Sequence, residues 1–195
     1  MLNLHALLPN CRANGPGKRF TIWVQGCSKR CPGCFNPETH SQEKRIQISP
    51  LELLGKIKAA SDIEGLSISG GEPLEQPELI ADLLHMIQTE KAKEESTFRS
   101  DFSILLFSGY TLSQIQATSH GPELLDMTDI LVAGPFIADK ASDQHPFLGS
   151  NNQRIHFLSS RYSPKDFLNV PLAEVIIDEA GTVHLSGVRP FFDPV

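Results

Sequence analysis

The sequence predicts an α/β fold built on a mainly parallel sheet. Three observations carry that prediction. Short segments rich in β-branched and aromatic residues recur along the chain. Helical stripes with recognisable start signals fall between them. The repeated strand–helix order is the pattern of parallel strands joined by crossovers.

Taken in order, Arg19-Phe20-Thr21-Ile22-Trp23-Val24-Gln25 reads as a buried strand. A helix starts at Ser49 as N-cap, with Pro50 at the first helical position, Glu52 three residues after the cap, and Leu53, Leu54 and Ile57 as its apolar stripe. Gly65 to Ser69 is a short strand ending at Gly70-Gly71. Pro77 opens a second helix, with Leu79, Ile80, Leu83, Leu84 and Ile87 at helical spacing, and the charged stretch Lys91 to Ser100 reads as a loop. Phe102 to Phe107 is a third strand, Ser113 to Ala117 and Glu123 to Met127 are short helices, and Asp129 to Ala133 is a fourth strand stopped by Gly134-Pro135. Asp139 to Asn152 is a polar loop, and Arg154 to Leu158 another strand. Ala173 to Ile177 and Thr182 to Leu185 form a β-hairpin with Gly181 in its turn. No element is assigned before Arg19. At 195 residues the expectation is one domain, 1–195, with a core of about 15–158 and a C-terminal extension, 159–195.

In parallel α/β folds, function gathers at the carboxyl ends of strands. Here those ends carry the unusual segments: a cysteine loop after the first strand, Gly70-Gly71-Glu72-Pro73 after the second, Ser108-Gly109-Tyr110 after the third and Gly134-Pro135-Phe136 after the fourth. All four are expected on one edge of the sheet.

The cysteine loop is Gly26-Cys27-Ser28-Lys29-Arg30-Cys31-Pro32-Gly33-Cys34-Phe35-Asn36. Cys27, Cys31 and Cys34 are spaced so that three thiolates can converge on one metal centre. Three ligands leave a 4Fe–4S cluster one open iron, the mark of a reactive centre more than of a structural one. A zinc site would need a fourth ligand, for which His40 is at hand. A disulfide framework is the weaker alternative, and Cys11, sixteen residues before Cys27, is either a fourth cluster ligand or a buried bystander. Glycines at 70 and 71 would let backbone groups approach a ligand, with the Glu72 carboxylate beside them, an arrangement suited to an amino group; a plain strand-to-helix turn with a solvated glutamate is the other reading. Lys18, Arg19, Lys29 and Arg30 are expected to form a small basic patch near the loop, either a docking point for an acidic electron donor or a solvated rim.

Composition narrows the function classes. The formal net charge of −6 gives no electrostatic support to nucleic-acid binding. No apolar run approaches the roughly 20 residues that cross a bilayer. Met1 to Pro9 is too short and uncharged for a signal peptide, so the expected location is the cytoplasm, where thiols stay reduced.

Cys-x3-Cys-x2-Cys followed by Gly-Gly-Glu-Pro resembles the radical S-adenosylmethionine superfamily. The resemblance implies that Cys27, Cys31 and Cys34 hold a 4Fe–4S cluster whose fourth iron chelates S-adenosylmethionine, with Gly70, Gly71, Glu72 and Pro73 at its amino group. It also implies a fold, an incomplete (β/α) barrel, here with a C-terminal β-hairpin. Reductive cleavage would then give methionine and a 5′-deoxyadenosyl radical. Further matches are similar to one branch, the activating proteins of anaerobic ribonucleotide reductase and other glycyl radical enzymes. They are Gly33, Phe35-Asn36, Leu66 to Leu74, Ser108-Gly109-Tyr110-Thr111, Gly134-Pro135-Phe136 and Leu148 to Gln153, in order over about Gly15 to Leu158. On that basis Phe35, Asn36 and Ser108 join the expected cofactor-binding residues, and Asn152 and Gln153 either touch cofactor or partner or build their loop. The expected partners are a glycyl radical enzyme as protein substrate and a flavodoxin or ferredoxin as electron donor. Ala133 stands where the branch often has Asp, and the C-terminal hairpin is extra to it. Two rivals remain open: a radical enzyme acting on a peptide or small molecule, and a non-catalytic iron–sulfur or zinc module.

Overall fold

The computed structural model of the chain describes residues 1–142, 145–177 and 181–187. Nine strands and four α-helices follow in the order β1 (Leu2–Cys11), β2 (Arg19–Val24), β3 (Ile46–Ile48), α1 (Pro50–Ala59), β4 (Gly65–Gly70), α2 (Pro77–Lys91), β5 (Ser103–Ser108), α3 (Leu112–Gln116), α4 (Gly121–Asp126), β6 (Ile130–Ala133), β7 (Arg154–Phe157), β8 (Ala173–Ile177) and β9 (Val183–Gly187). Seven strands form one sheet in the order β3-β1-β2-β4-β5-β6-β7, and β8-β9 form a separate hairpin.

The central strands β2, β4, β5 and β6 run parallel. The flanks do not. β1 pairs antiparallel with both β2 and β3, and β7 pairs antiparallel with β6. The sheet is therefore mixed α/β with a parallel centre, and among the described residues no ladder joins β3 to β7 to close it. β1 and β3 are absent from the sequence prediction. In β1, Leu2 and Leu4 alternate with polar residues, but Pro9 and two register shifts against β2 break the pattern further on.

Strand alternation divides the molecule into two faces. Phe20, Ile22, Val24, Leu66, Ile68, Ile104, Leu106 and Leu131 face the buried stripes of α1 and α2, including Leu53, Ile57, Ile80, Leu83, Leu84 and Ile87. Leu105, Ile130 and Val132 sit in a second cluster with Phe147, Phe167 and Val170. The helix starts follow the predicted chemistry. Ser49 accepts from the Glu52 amide while the Glu52 carboxylate accepts from the Ser49 amide, a complete capping box with Pro50 at the first position.

One prediction is corrected here. Arg19 belongs to no surface patch, because it is completely buried. Its guanidinium donates to Ser67 Oγ, Ser103 Oγ and the carbonyl oxygens of Pro16, Leu66 and Ser103. Burial pushes its pKa down. Arg19 opens β2 with Lys18 just before it, whereas Lys29 and Arg30 lie past the strand's far end, about 17 Å along at the usual rise per strand residue.

Candidate functional site

The four unusual segments meet around one open cavity of about 1,080 Å³, mouth included. Its floor comes from the sheet face opposite the helices, where Trp23 and Ser69 pair across β2 and β4. Cys27, Cys31 and Cys34 line it, with Phe35 and Asn36, Gly70, Gly71 and Glu72, Ser108 and Gly109, and Gly134 and Phe136. Of the expected site residues only Pro73 stays off the wall; it is buried and opens the 3-10 turn Pro73–Glu75.

The cysteine loop winds so that amides face sulfur. Cys34 Sγ accepts from the Asn36 amide at 3.4 Å, and the Lys29 and Arg30 amides bond to Cys27. Burial pushes the Cys27 and Cys34 thiols up, and these amide donors oppose the rise by favouring thiolate. All three cysteines are free thiols. Three soft donors lining one cavity, braced by N–H groups, fit an iron–sulfur cluster, which takes its thiolates at separate irons. Among the described residues no three His, Cys, Asp or Glu side chains close on a single ion. Cys11 is completely buried and off the cavity, bonded to Asn14 and Ser186.

The Gly70-Gly71-Glu72 turn is stitched to the end of β2. The Gly71 amide donates to Val24 O at 2.8 Å and the Glu72 amide to Gly26 O at 2.9 Å. A Cβ on Gly70 would lie 2.5 Å from Val24 N, and one on Gly71 would collide with Gly26 O. The glycines thus let two backbone segments of this chain touch, as well as opening the turn to the cavity. Glu72 is buried rather than solvated. Its Oε1 accepts from Ser108 Oγ (2.9 Å) and Leu74 N (3.1 Å), and its Oε2 from Gly109 N (2.8 Å). Burial raises its pKa against these three donors and the nearby Lys29 charge.

Several cavity residues were not among the expected cofactor-binding residues. Lys29, read as part of a patch, lines the cavity with its ammonium 3.4 Å from the Tyr110 ring centroid, a cation–π contact. His40 also lines it, and its Nε2 is buried without a hydrogen bond. Trp23, Phe107 and Phe147 complete the apolar wall. Sequence carries no signal for Trp23 and Phe107 beyond strand alternation, and Phe147 lies in the loop before β7. Asn152 and Gln153 brace their loop, Asn152 Nδ2 donating to Pro135 O and Gln153 Nε2 to Gly134 O, and Gln153 also lines the cavity. Asn36, on the cavity wall, accepts through its backbone carbonyl from Thr39 N and Oγ1 at the turn Pro37–His40.

The family model of the 4Fe-4S single cluster domain matches residues 13–156. The anaerobic ribonucleoside-triphosphate reductase-activating protein of Vibrio cholerae serotype O1 is 36% identical over 162 residues, covering 80% of this chain and 97% of that protein. Its Escherichia coli K12 counterpart is 30% identical over 161 residues, covering 80% and 99%. The protein of that name from Enterobacteria phage T4 is 26% identical over 156 residues, covering 79% and 93%. The matched domain contains the whole cavity wall contributed by β2, β4, β5 and β6, and it ends before β8. On this extent of match, the chain belongs to the 4Fe-4S single cluster domain family, in the branch of the anaerobic ribonucleoside-triphosphate reductase-activating proteins.

Proposed function

We propose that this protein is a radical S-adenosylmethionine activase that generates a glycyl radical on a partner enzyme, such as an anaerobic ribonucleotide reductase. The observation that carries the reading is the convergence of three free thiols, the Gly70-Gly71-Glu72 turn and Ser108 on one cavity. The names of the relatives supply the substrate class. We read the open sheet as the wall of an incomplete (β/α) barrel, within one domain.

A 4Fe–4S cluster held by Cys27, Cys31 and Cys34, with S-adenosylmethionine beside the Gly70-Gly71-Glu72 turn, would supply one-electron reductive cleavage of the sulfonium and, through it, removal of a hydrogen atom from a glycine Cα of the partner. The chain's own part is holding and shielding. Cys27, Cys31 and Cys34 would hold the 4Fe–4S cluster, with amides bracing two of the sulfurs. Glu72 ties the β4 turn to the β5 end, so the donors lining the cofactor site keep one geometry. Apolar walls from Trp23, Phe107 and Phe147 keep water from a reactive centre. The open mouth leaves room for a partner's loop. A low-potential protein donor, a flavodoxin or ferredoxin, would deliver the electron in a reducing compartment such as the cytoplasm.

The test is anaerobic. After reconstitution with iron and sulfide and reduction, the wild type should form 5′-deoxyadenosine from S-adenosylmethionine. Cys31→Ala should lose cluster iron and product together. Product formation retained in Cys31→Ala would sink the reading.

A further inference from the structure

We propose that Glu75 is a positioning residue for the cysteine loop: its carboxylate clamps the loop just after Cys27 and, as a fixed charge, holds down the reduction potential of a cluster bound there. The inference rests on the iron–sulfur reading above and concerns a residue that stands off the cavity wall.

Glu75 is half-buried at the end of the 3-10 turn Pro73–Glu75, three positions beyond Glu72. Its Oε1 accepts from the Ser28 amide at 2.6 Å and its Oε2 from Gln42 Nε2 at 3.0 Å. Ser28 directly follows Cys27, whereas Gln42 lies past the turn Pro37–His40. One carboxylate therefore bridges the two ends of the segment that carries all three thiols. The base of that segment is closed by contact as well. The Gly26 amide donates to Thr39 O at 2.8 Å, and a Cβ on Gly26, where φ is +106°, would lie 2.6 Å from Gln42 Oε1. Gln42 is thus seated against bare backbone, with its Nε2 on Glu75.

The next two amides after the clamp, of Lys29 and Arg30, bond to Cys27. Arg30 has φ at +43°, a left-handed conformation uncommon outside glycine. Such backbone persists only where its surroundings fix it. A bond from Ser28 to an ionised acceptor is a strong one, and it sets the direction of the amides that face sulfur.

The charge also acts at Cys27. Burial works against the Glu75 carboxylate, yet the bonds from Ser28 and Gln42 outweigh it and keep the carboxyl below its ordinary value, so it is ionised at neutral pH. Burial leads the rise of the Cys27 thiol, and the charges of Glu72 and Glu75 add to it. A field that disfavours thiolate also disfavours an added electron on a cluster held by that sulfur, and Lys29 is the nearby cation that offsets part of it.

The test is a redox titration of anaerobic, cluster-loaded protein, followed by electron paramagnetic resonance without S-adenosylmethionine. Glu75→Gln keeps the side chain's shape and an acceptor for the Ser28 amide but removes the charge. It should keep wild-type iron content, while the ratio of reduced to oxidised cluster at a fixed applied potential rises roughly threefold to tenfold, the size of a partly screened unit charge. Glu94→Gln, past the far end of α2, removes an equal charge and should leave that ratio as in wild type. Glu75→Ala, which removes clamp and charge together, should also lose iron. Glu75→Asp and Glu75→Asn, alike in length and different in charge, repeat the comparison even if the glutamine variant loads poorly, and the asparagine variant should titrate at the higher potential. A cluster in Glu75→Gln that titrates with wild type, or equal potentials in the Asp and Asn pair, would overturn the inference alone. A wild type that takes up no cluster would overturn the functional reading and this inference with it.

Discussion

At the scale of single residues, Glu72 shows how a motif side chain can act on its own protein before any ligand arrives. Its three donors come from two segments, its own turn and the end of β5. Ser108→Ala removes the hydroxyl donor and the acceptor for the Tyr110 amide. Losing a bond to a buried carboxylate should cost about 2 kcal/mol and lower the melting temperature by roughly 4–8 °C in a chain of this size. Protonation gives an independent check. The ordinary carboxyl value is 4.5 and burial raises it in the native state. Above that value the native state keeps a proton that the unfolded chain has released, so stability falls as pH rises through the interval between the two values. Glu72→Gln does not titrate. Urea unfolding at several pH values should show the stability of wild type relative to Glu72→Gln declining from pH 4.5 upward until the native value is passed. A difference that stays flat over that range would mean the carboxyl is not perturbed.

At the scale of elements, signals confined to a few consecutive residues were legible and pairings were not. The Ser49-Pro50-Glu52 sequence specifies the start of α1 because a capping box is closed by neighbours. Ser49→Ala should cost about 1 kcal/mol and about 2–4 °C in melting temperature, read by thermal unfolding. The direction of β7 has no such local marker: a polar loop rather than a helix precedes it, and it runs antiparallel to β6. β1 is pinned at long range. Gln76, just before α2, accepts from the Asn3 amide and donates to the carbonyls of Asn3 and Gln25, so one side chain clips β1 beside β2. Nothing within residues 1–11 announces that partner.

At the scale of the whole molecule, the hairpin β8-β9 lies beyond the matched family domain and covers a polar seam near the N-terminus. Ser186 accepts from Asn14 at 2.6 Å and from the Cys11 thiol at 3.4 Å, Glu174 accepts from the Arg12 amide, and Ile176 packs on Leu8, Cys11 and Ala13. Gly187 reaches the cavity wall. Ending the chain at residue 171 should expose Cys11, which is now completely buried. Its alkylation rate under native conditions, mapped by peptide mass, should rise well above that of the full chain. Unchanged protection would mean that the hairpin is not its cover.

The sequence by itself determined the order of strands and helices around the parallel centre, and the four strand-end segments that carry chemistry. Periodicity, caps and cysteine spacing are local properties, written within a dozen residues and readable without neighbours. Only the tertiary structure decided that Arg19 is interior, that Glu72 turns inward to Ser108 and Gly109, and that Phe136 rests on Gly33. Each of these depends on which strands lie side by side and in what register. That is set by packing between residues tens of positions apart, where one backbone's missing Cβ becomes another side chain's seat.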